Sequence, residues 1–530
     1  MNVSLEKKVA LSPTINNFDY FLKTNEYNLW LCVNHHKTFT NKKMTFKNHL
    51  FLKEILMDKS SHRVIMKSTQ GGISECLIIM SWSAASNGAT VFYVLPTHNL
   101  MARFVSNRFE KSLMNSAFYR KVKSTGKAET FRKDIIDNRS LKDIGRGVIS
   151  FAGSYTDIPF VEIPADWLIV DEADQCDPKR LEMAKERLGH SENPHEIYVG
   201  NPTYQGSFLD EKYKESSQGE WFIKAKCGHK IQIDFFKHVL RQESENNYVI
   251  LDKEFEFGNG GDVKPICDKC SKPFDRFGDG EYVNKFSSTL SGKSISRLFS
   301  GIGPLSDIVL DFSKALENDY KMQRFYNSQL GQPFTMEGSK VSRRLIEDSM
   351  GDYLMPSFSK EPCIMGVDVG KIIHVKINKI LHDKRKQSVY IGTVLELEEL
   401  FSLCRNYNVV VAVIDALPEI RLARKFSHYS IGYFRCFFGA DKTDSVNLKE
   451  KVLTVSRLMA IDDFKEKLTL QQILFPKNIL TMDEYMSHIQ EPTRVWDEDR
   501  KVFSWLSNRP DHFFFAEVYA SLAEKILKFM

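Results

Sequence analysis

The chain has 530 residues, of which 42% are hydrophobic and 27% charged, and a formal net charge of +5, a mild basicity that permits nucleic-acid binding without requiring it. Single cores rarely grow past about 300 residues, so two or more domains are expected, and no apolar run approaches the ~20 residues of a membrane span. Nine mostly scattered cysteines argue against a disulfide framework, and the opening residues Met1 to Lys8 lack the apolar core of a secretory signal, which places the chain in the cytoplasm.

Residues 1–40 read as an N-terminal extension. Residues 61–67 predict a short strand, followed by the loop Lys67, Ser68, Thr69, Gln70, Gly71, Gly72, Ile73, Ser74 and then a helix-compatible run through Ala85. Strand, glycine turn and helix N-terminus together form the setting in which backbone N–H groups and the helix dipole cradle phosphates. The usual phosphate loop has its lysine just before the hydroxyl residue. Here that position is Ile73, and the lysine stands at the loop's entrance as Lys67, from where it can fold over phosphates, while Ser74 keeps the Mg²⁺-binding hydroxyl. Taken alone, the loop also reads as an ordinary glycine-rich turn.

Residues 89–97 predict a buried-type strand, and residues 167–170 another that ends in Asp171-Glu172-Ala173-Asp174. Asp171 suits the Mg²⁺ shell, and Glu172 suits orienting and deprotonating the attacking water. A solvated acidic turn, extended by Asp174 and Asp177, is the competing reading, but the upstream loop makes an ATPase the better one. A third strand, residues 196–199, ends at the polar turn Gly200-Asn201-Pro202-Thr203, which is placed to sense a γ-phosphate or is simply a turn. Cys227-Gly228-His229 and Cys267-Asp268-Lys269-Cys270 supply Cys227, His229, Cys267 and Cys270, the inventory of a tetrahedral structural Zn²⁺ site, which would staple residues 224–285; reduced cysteines beside an incidental histidine are the alternative.

Residues 364–370 predict a strand bearing Asp368, followed by strands at 374–381 and 388–397, a helix, and a strand at 409–415 ending in Asp415. Three strands, a helix and a fourth strand is the order of a ribonuclease H-like domain, with the first and fourth strands adjacent and the two acids facing each other. Asp511 opens the terminal helix as a third oxygen ligand, although after Pro510 it also reads as a plain cap. Three converging carboxylates suit two hard cations, Mg²⁺ or Mn²⁺. Glu396 is a lesser candidate for metal contact, and His512 either assists or packs.

The order of these motifs resembles the large terminase subunits of tailed bacteriophages, ATP-driven DNA-packaging motors, and more closely their lambda-like branch, in which a lysine opens the phosphate loop as Lys67 does. The resemblance extends to residues 323–334, Gln323 through Phe334, a segment typical of the family between motor and nuclease. It implies ATP held by Lys67, Ser68, Gln70, Gly71, Gly72, Ser74 and Asp171, hydrolysis by Glu172, and a coupling role for Thr203. It also implies cleavage of concatemeric double-stranded DNA by Asp368, Asp415 and Asp511. Phe46 and His49 would sit near the adenine, and Arg103, Arg108, Arg146 and Arg187 are candidates for a trans-acting arginine. The implied partners are double-stranded DNA, a small terminase subunit and the portal of a procapsid, where the chain would form a ring in the host cytoplasm.

The expected architecture is therefore α/β: a P-loop NTPase motor domain of the ASCE/RecA-like kind over residues 41–350, with a zinc-ribbon-like insertion, then a ribonuclease H-like nuclease domain over residues 355–530. A helicase-like or restriction-type translocase would instead need a second motor lobe with arginine-bearing motifs in the carboxyl-terminal half. A zinc-stapled DNA-binding scaffold with inert ATPase remnants is the non-enzymatic alternative.

Overall fold

The computed structural model describes residues 26–120, 138–144, 146–155, 158–244, 247–259, 261–336, 338–439, 444–497 and 502–527. The chain divides into two compact units, Met1–Phe334 and Thr335–Met530. Among the described residues no helix is long and apolar enough to cross a membrane.

The first unit is built on a ten-stranded sheet. Its central strands run parallel in the order Gly219–Lys224, Leu290–Ile295, His62–Lys67, His195–Gly200, Trp167–Asp171, Thr90–Leu95 and Val148–Gly153. The apolar runs of these strands follow from burial on both faces. Ile65, Tyr93, Ile169 and Ile197 point into one core, while Val64, Met66, Phe92, Leu168 and Tyr198 point into the other, the alternation that a period of two imposes. The His195–Gly200 strand lies between the strand feeding the phosphate loop and the strand carrying the acids, as in the ASCE arrangement. All three therefore end along one edge.

The helix Glu26–Asn34 lies at the described end of the expected extension and buries Tyr27, Trp30, Leu31 and Cys32 in the first of these cores. The segment expected to hold zinc leaves and rejoins the sheet through Gly219–Lys224 and Gly280–Val283, which pair antiparallel, and contains the hairpin Leu240–Ser244 with Asn247–Ile250.

The second unit carries an eight-stranded sheet. Cys363–Val369, Ile373–Ile380 and Lys386–Val394 form an antiparallel meander, and Val409–Asp415 runs parallel beside Cys363–Val369. This is the ribonuclease H-like order that the sequence predicts. One sheet face packs against the terminal helix His512–Leu527, and the other against Leu397–Asn406 and Ile420–Ser427.

The terminal helix approaches the sheet closely because of Gly366. A Cβ at that position would come 2.1 Å from both the Ala516 carbonyl oxygen and the Ala520 nitrogen, so the helix backbone itself would have to move. Gly366→Ala is expected to destabilise the second unit by about 1–3 kcal/mol, the usual cost of overpacking, read as a lower denaturant midpoint. Nearby, Lys376 forms a fully buried ion pair with Glu517, which also accepts a 2.6 Å hydrogen bond from Tyr485.

Candidate active sites

The phosphate loop is shaped by left-handed residues, Gln70 at φ 61° and Gly72 at φ 83°, and the helix Ile73–Ser86 follows directly. From the loop's entrance, Lys67 Nζ donates to Glu172 Oε1 at 2.6 Å and to Asn201 Oδ1 at 3.3 Å. Ser74 Oγ donates to Asp171 Oδ2 at 3.0 Å, and Tyr93 OH donates to the same oxygen at 3.2 Å. Burial opposes the Lys67 charge, but Glu172 and Asp171 outweigh it and hold the ammonium's pKa above its usual value. Burial raises that of Asp171, with Lys67 working against the rise. The second oxygen of Asp171, Oδ1, is buried without a hydrogen-bond partner. Such an orphan is costly in an apolar setting and suits a divalent cation, so the site fits Mg²⁺ arriving with a nucleotide.

Glu172 sits at φ 59°, ψ 48°, a left-handed conformation that costs a non-glycine residue about 1–3 kcal/mol and is typical of functional turns. The turn is braced by Asp174, which the sequence alone also allows as part of a solvated acidic turn. Asp174 accepts from Thr203 N at 2.8 Å, Thr203 Oγ1 at 2.9 Å and Leu209 N at 2.7 Å. Asn201 Nδ2 in turn donates to the Asn327 carbonyl at 3.2 Å, and Asn327 Nδ2 donates to the Thr203 carbonyl at 2.8 Å. The 323–334 segment also reaches the loop, where Thr69 donates through N and Oγ1 to the Ser328 carbonyl at 2.9 and 3.0 Å. Ser68 N donates to the Ile295 carbonyl at 2.9 Å.

His49 is engaged by Ser300 Oγ at 2.9 Å, and Phe46 lies beneath Lys53, whose ammonium is 5.6 Å from the ring centroid. Of the four arginines considered, Arg108 is the one whose charge acts on both Lys67 and Tyr93. Arg187 donates instead to the Val161 carbonyl at 2.7 Å.

In the second unit, the Cys363–Val369 and Val409–Asp415 strands pair in register, Val367 beside Ile414, so Asp368 and Asp415 stand at neighbouring strand ends on the face covered by the terminal helix. Asp368 is 7% exposed, and burial, then the charge of Asp511, push its pKa up, against the pull of His512. Burial, with a contribution from Asp368, pushes Asp415 up to about 6. Asp511 immediately precedes the terminal helix and accepts from Ser507 Oγ at 2.6 Å. His512 Nδ1 lies 2.8 Å from Asp368 Oδ2. A buried Asp368 carboxyl beside a half-buried Asp415 whose pKa it raises fits a cation. The tight ligand group here is Asp368, His374 and His512, whose ligand atoms lie within 4.8 Å of one another. Glu396 is exposed at the start of the Leu397–Asn406 helix.

Residues 51–275 match the family described as the phage terminase large subunit gpA, ATPase domain. The match spans less than half of the chain. Over the whole chain, the fold is similar to the crystal structure of the HK97 bacteriophage large terminase, with a TM-score of 0.55 and 10% identity, covering 94% of this chain and 99% of that one. The large terminase of the thermophilic bacteriophage D6E is matched at a TM-score of 0.31 and 12% identity, over 91% of this chain and 98% of that one. No curated protein sequence matches the chain.

Within the matched segment, the sulfurs of Cys227, Cys267 and Cys270 form a group within 4.8 Å, with Cys227 and Cys267 Sγ 3.8 Å apart. A Zn–S bond of about 2.3 Å gives a tetrahedral sulfur–sulfur edge of about 3.8 Å, so the three thiols fit zinc. His229 lies outside this group, with Nε2 3.3 Å from Asp268 Oδ1.

Proposed function

We propose that the chain is the large subunit of a phage terminase, hydrolysing ATP to drive double-stranded DNA into a procapsid and cutting concatemeric DNA with its second unit. One observation carries this reading: a phosphate loop facing paired acids in one unit, and two neighbouring strand-end aspartates, Asp368 buried and Asp415 half-buried, on a ribonuclease H-like sheet in the other. A helicase-like translocase would need a second motor lobe where that sheet stands.

In the motor, backbone N–H groups from Gln70 to Ser74 and the Lys67 ammonium bind the nucleotide phosphates, while Ser74 and Asp171 hold its Mg²⁺. Lys67 is shared between Glu172 and the phosphates, so a bound γ-phosphate draws the ammonium away and leaves the Glu172 carboxylate to orient and deprotonate water. Asp174, gripping Thr203 through two hydrogen bonds, links the acidic turn to the turn after the next strand, the route by which hydrolysis would reach DNA-contacting parts.

In the nuclease, Asp368, Asp415 and Asp511 hold Mg²⁺ or Mn²⁺, which supplies an activated water and stabilises the leaving oxygen. His512 orients the Asp368 carboxylate. The three thiols of the motor unit bind a structural Zn²⁺, with His229 as fourth ligand once it leaves Asp268. The reading extends to a lambda-like placement, a small terminase partner, the portal, a ring assembly and the host cytoplasm.

The test uses the purified full chain with DNA and Mg²⁺ or Mn²⁺, following ATP hydrolysis and plasmid cleavage together. Both activities are expected; ATP hydrolysis with no cleavage by either metal would remove the nuclease half of the proposal, and the absence of both would overturn it.

A further inference from the structure

Beside the nuclease acids stand two imidazoles, His374 and His488, to which the cleavage reaction assigns no work. His374 is the register partner of Asp368 across an antiparallel strand pair, so both side chains leave the same sheet face. It is 3% exposed, and neither of its ring nitrogens has a hydrogen-bond partner. An imidazole buried that way loses its contacts with water at both nitrogens without a hydrogen bond in return, a cost of about 1–3 kcal/mol for each group that an apolar side chain would avoid.

The helix Asp483–Gln490 supplies what faces it. Glu484 and His488 are four residues apart and share one helix face. The ligand atoms of His374, Glu484 and His488 lie within 4.8 Å of one another, and His374 Nε2 is 3.6 Å from Glu484 Oε1. His488 is 7% exposed, and its Nδ1 also lacks a partner. The Glu484 side chain is 62% exposed, which leaves the group open to an ion from solvent.

We propose that His374, Glu484 and His488 form a binding site for a divalent transition-metal ion of the Zn²⁺ class. Two imidazoles and one carboxylate are a set that borderline ions accept with a coordination position to spare, whereas hard Mg²⁺ favours oxygen ligands such as the neighbouring aspartates. The ion ties the Asp483–Gln490 helix to the strand end bearing His374. His374 stacks on His512 at 4.6 Å, and His512 holds Asp368 at 2.8 Å, so the ion fixes the ring against which the nuclease histidine rests. The site stands whether or not the aspartates cut DNA.

Co²⁺ is the probe, added to the full chain in excess Mg²⁺ to occupy oxygen-only sites. Cobalt on the cysteines shows thiolate charge-transfer bands in the near ultraviolet; cobalt on His374, Glu484 and His488 shows only visible ligand-field bands. Wild type is expected to bind one Co²⁺ per chain of the second kind, and His488→Ala and Glu484→Gln each to lose it while keeping the thiolate bands. Glu484→Gln, at an exposed position, carries the test where His488→Ala fails to fold. A wild-type chain without a thiolate-free Co²⁺, or variants that retain it, would overturn the proposal.

Discussion

Glu172→Gln should bind ATP at least as well as wild type and lose hydrolysis by at least about a hundredfold, the low end of what a positioned general base contributes. The amide keeps an oxygen where Lys67 Nζ now donates at 2.6 Å, so the loop's local geometry survives. What disappears is basicity. The Glu172 carboxylate is the first charge holding the Lys67 pKa up against burial, and on the proposed reading it would compete with a nucleotide for that ammonium. Removing the charge removes the competition, which is why affinity should be held or gained while turnover collapses. Titration with a fluorescent ATP analogue and steady-state phosphate release check the two halves separately. Unchanged turnover would take Glu172 out of the chemistry; lost binding would mean that the pair with Lys67 builds the loop and does not gate it.

Much of this site is legible in the chain because its signals are local. Lys67, Gly72 and Ser74 lie within one turn between a strand and a helix, and Asp171 and Glu172 close an apolar run whose length and composition match burial on both faces. Its supports are illegible for the opposite reason. Tyr93 sits inside another apolar run and looks like core until pairing of the Thr90–Leu95 and Trp167–Asp171 strands brings its hydroxyl to Asp171. Asp174 reads as one more solvated acid; only the return of the chain at Thr203 and Leu209 surrounds it with donors. Asn327 meets the Thr203 turn from 124 residues away.

The second unit divides in the same way. The meander and its parallel fourth strand follow from apolar runs at the expected spacing, and they set Asp368 beside Asp415. His374 and His488 carry no spacing signal, because strand register and a separate helix bring them together. His229 shows the converse: its place one residue beyond a Cys-Gly pair suggests a ligand, yet its imidazole pairs with Asp268 beside the three thiols.

Asp368→Asn should abolish DNA cleavage and leave ATP hydrolysis unchanged. The change is nearly isosteric, and an amide oxygen can still accept from His512, so the fold around the 2.8 Å contact is retained. An amide is nevertheless a poor ligand for a hard cation. Substitutions that touch only the outer partners of a metal ligand already cost about 10–100-fold, so losing the ligand itself should exceed about a hundredfold. Plasmid nicking in Mg²⁺ or Mn²⁺, run beside phosphate release on the same preparation, separates the two activities; wild-type cutting by the variant would remove Asp368 from the site. The pH dependence has a defined sign. Burial first, with a contribution from Asp368, holds the Asp415 carboxyl up at about 6, so below that pH it is neutral and above it ionised. Metal binding requires the ionised form, so Mn²⁺ affinity should rise as pH passes upward through about 6 and release a proton on binding. Asp368→Asn removes one of the charges that raise Asp415, so whatever weak Mn²⁺ binding remains in the variant should have its midpoint moved to lower pH. A midpoint that stays put would mean that Asp368 and Asp415 do not share a cation.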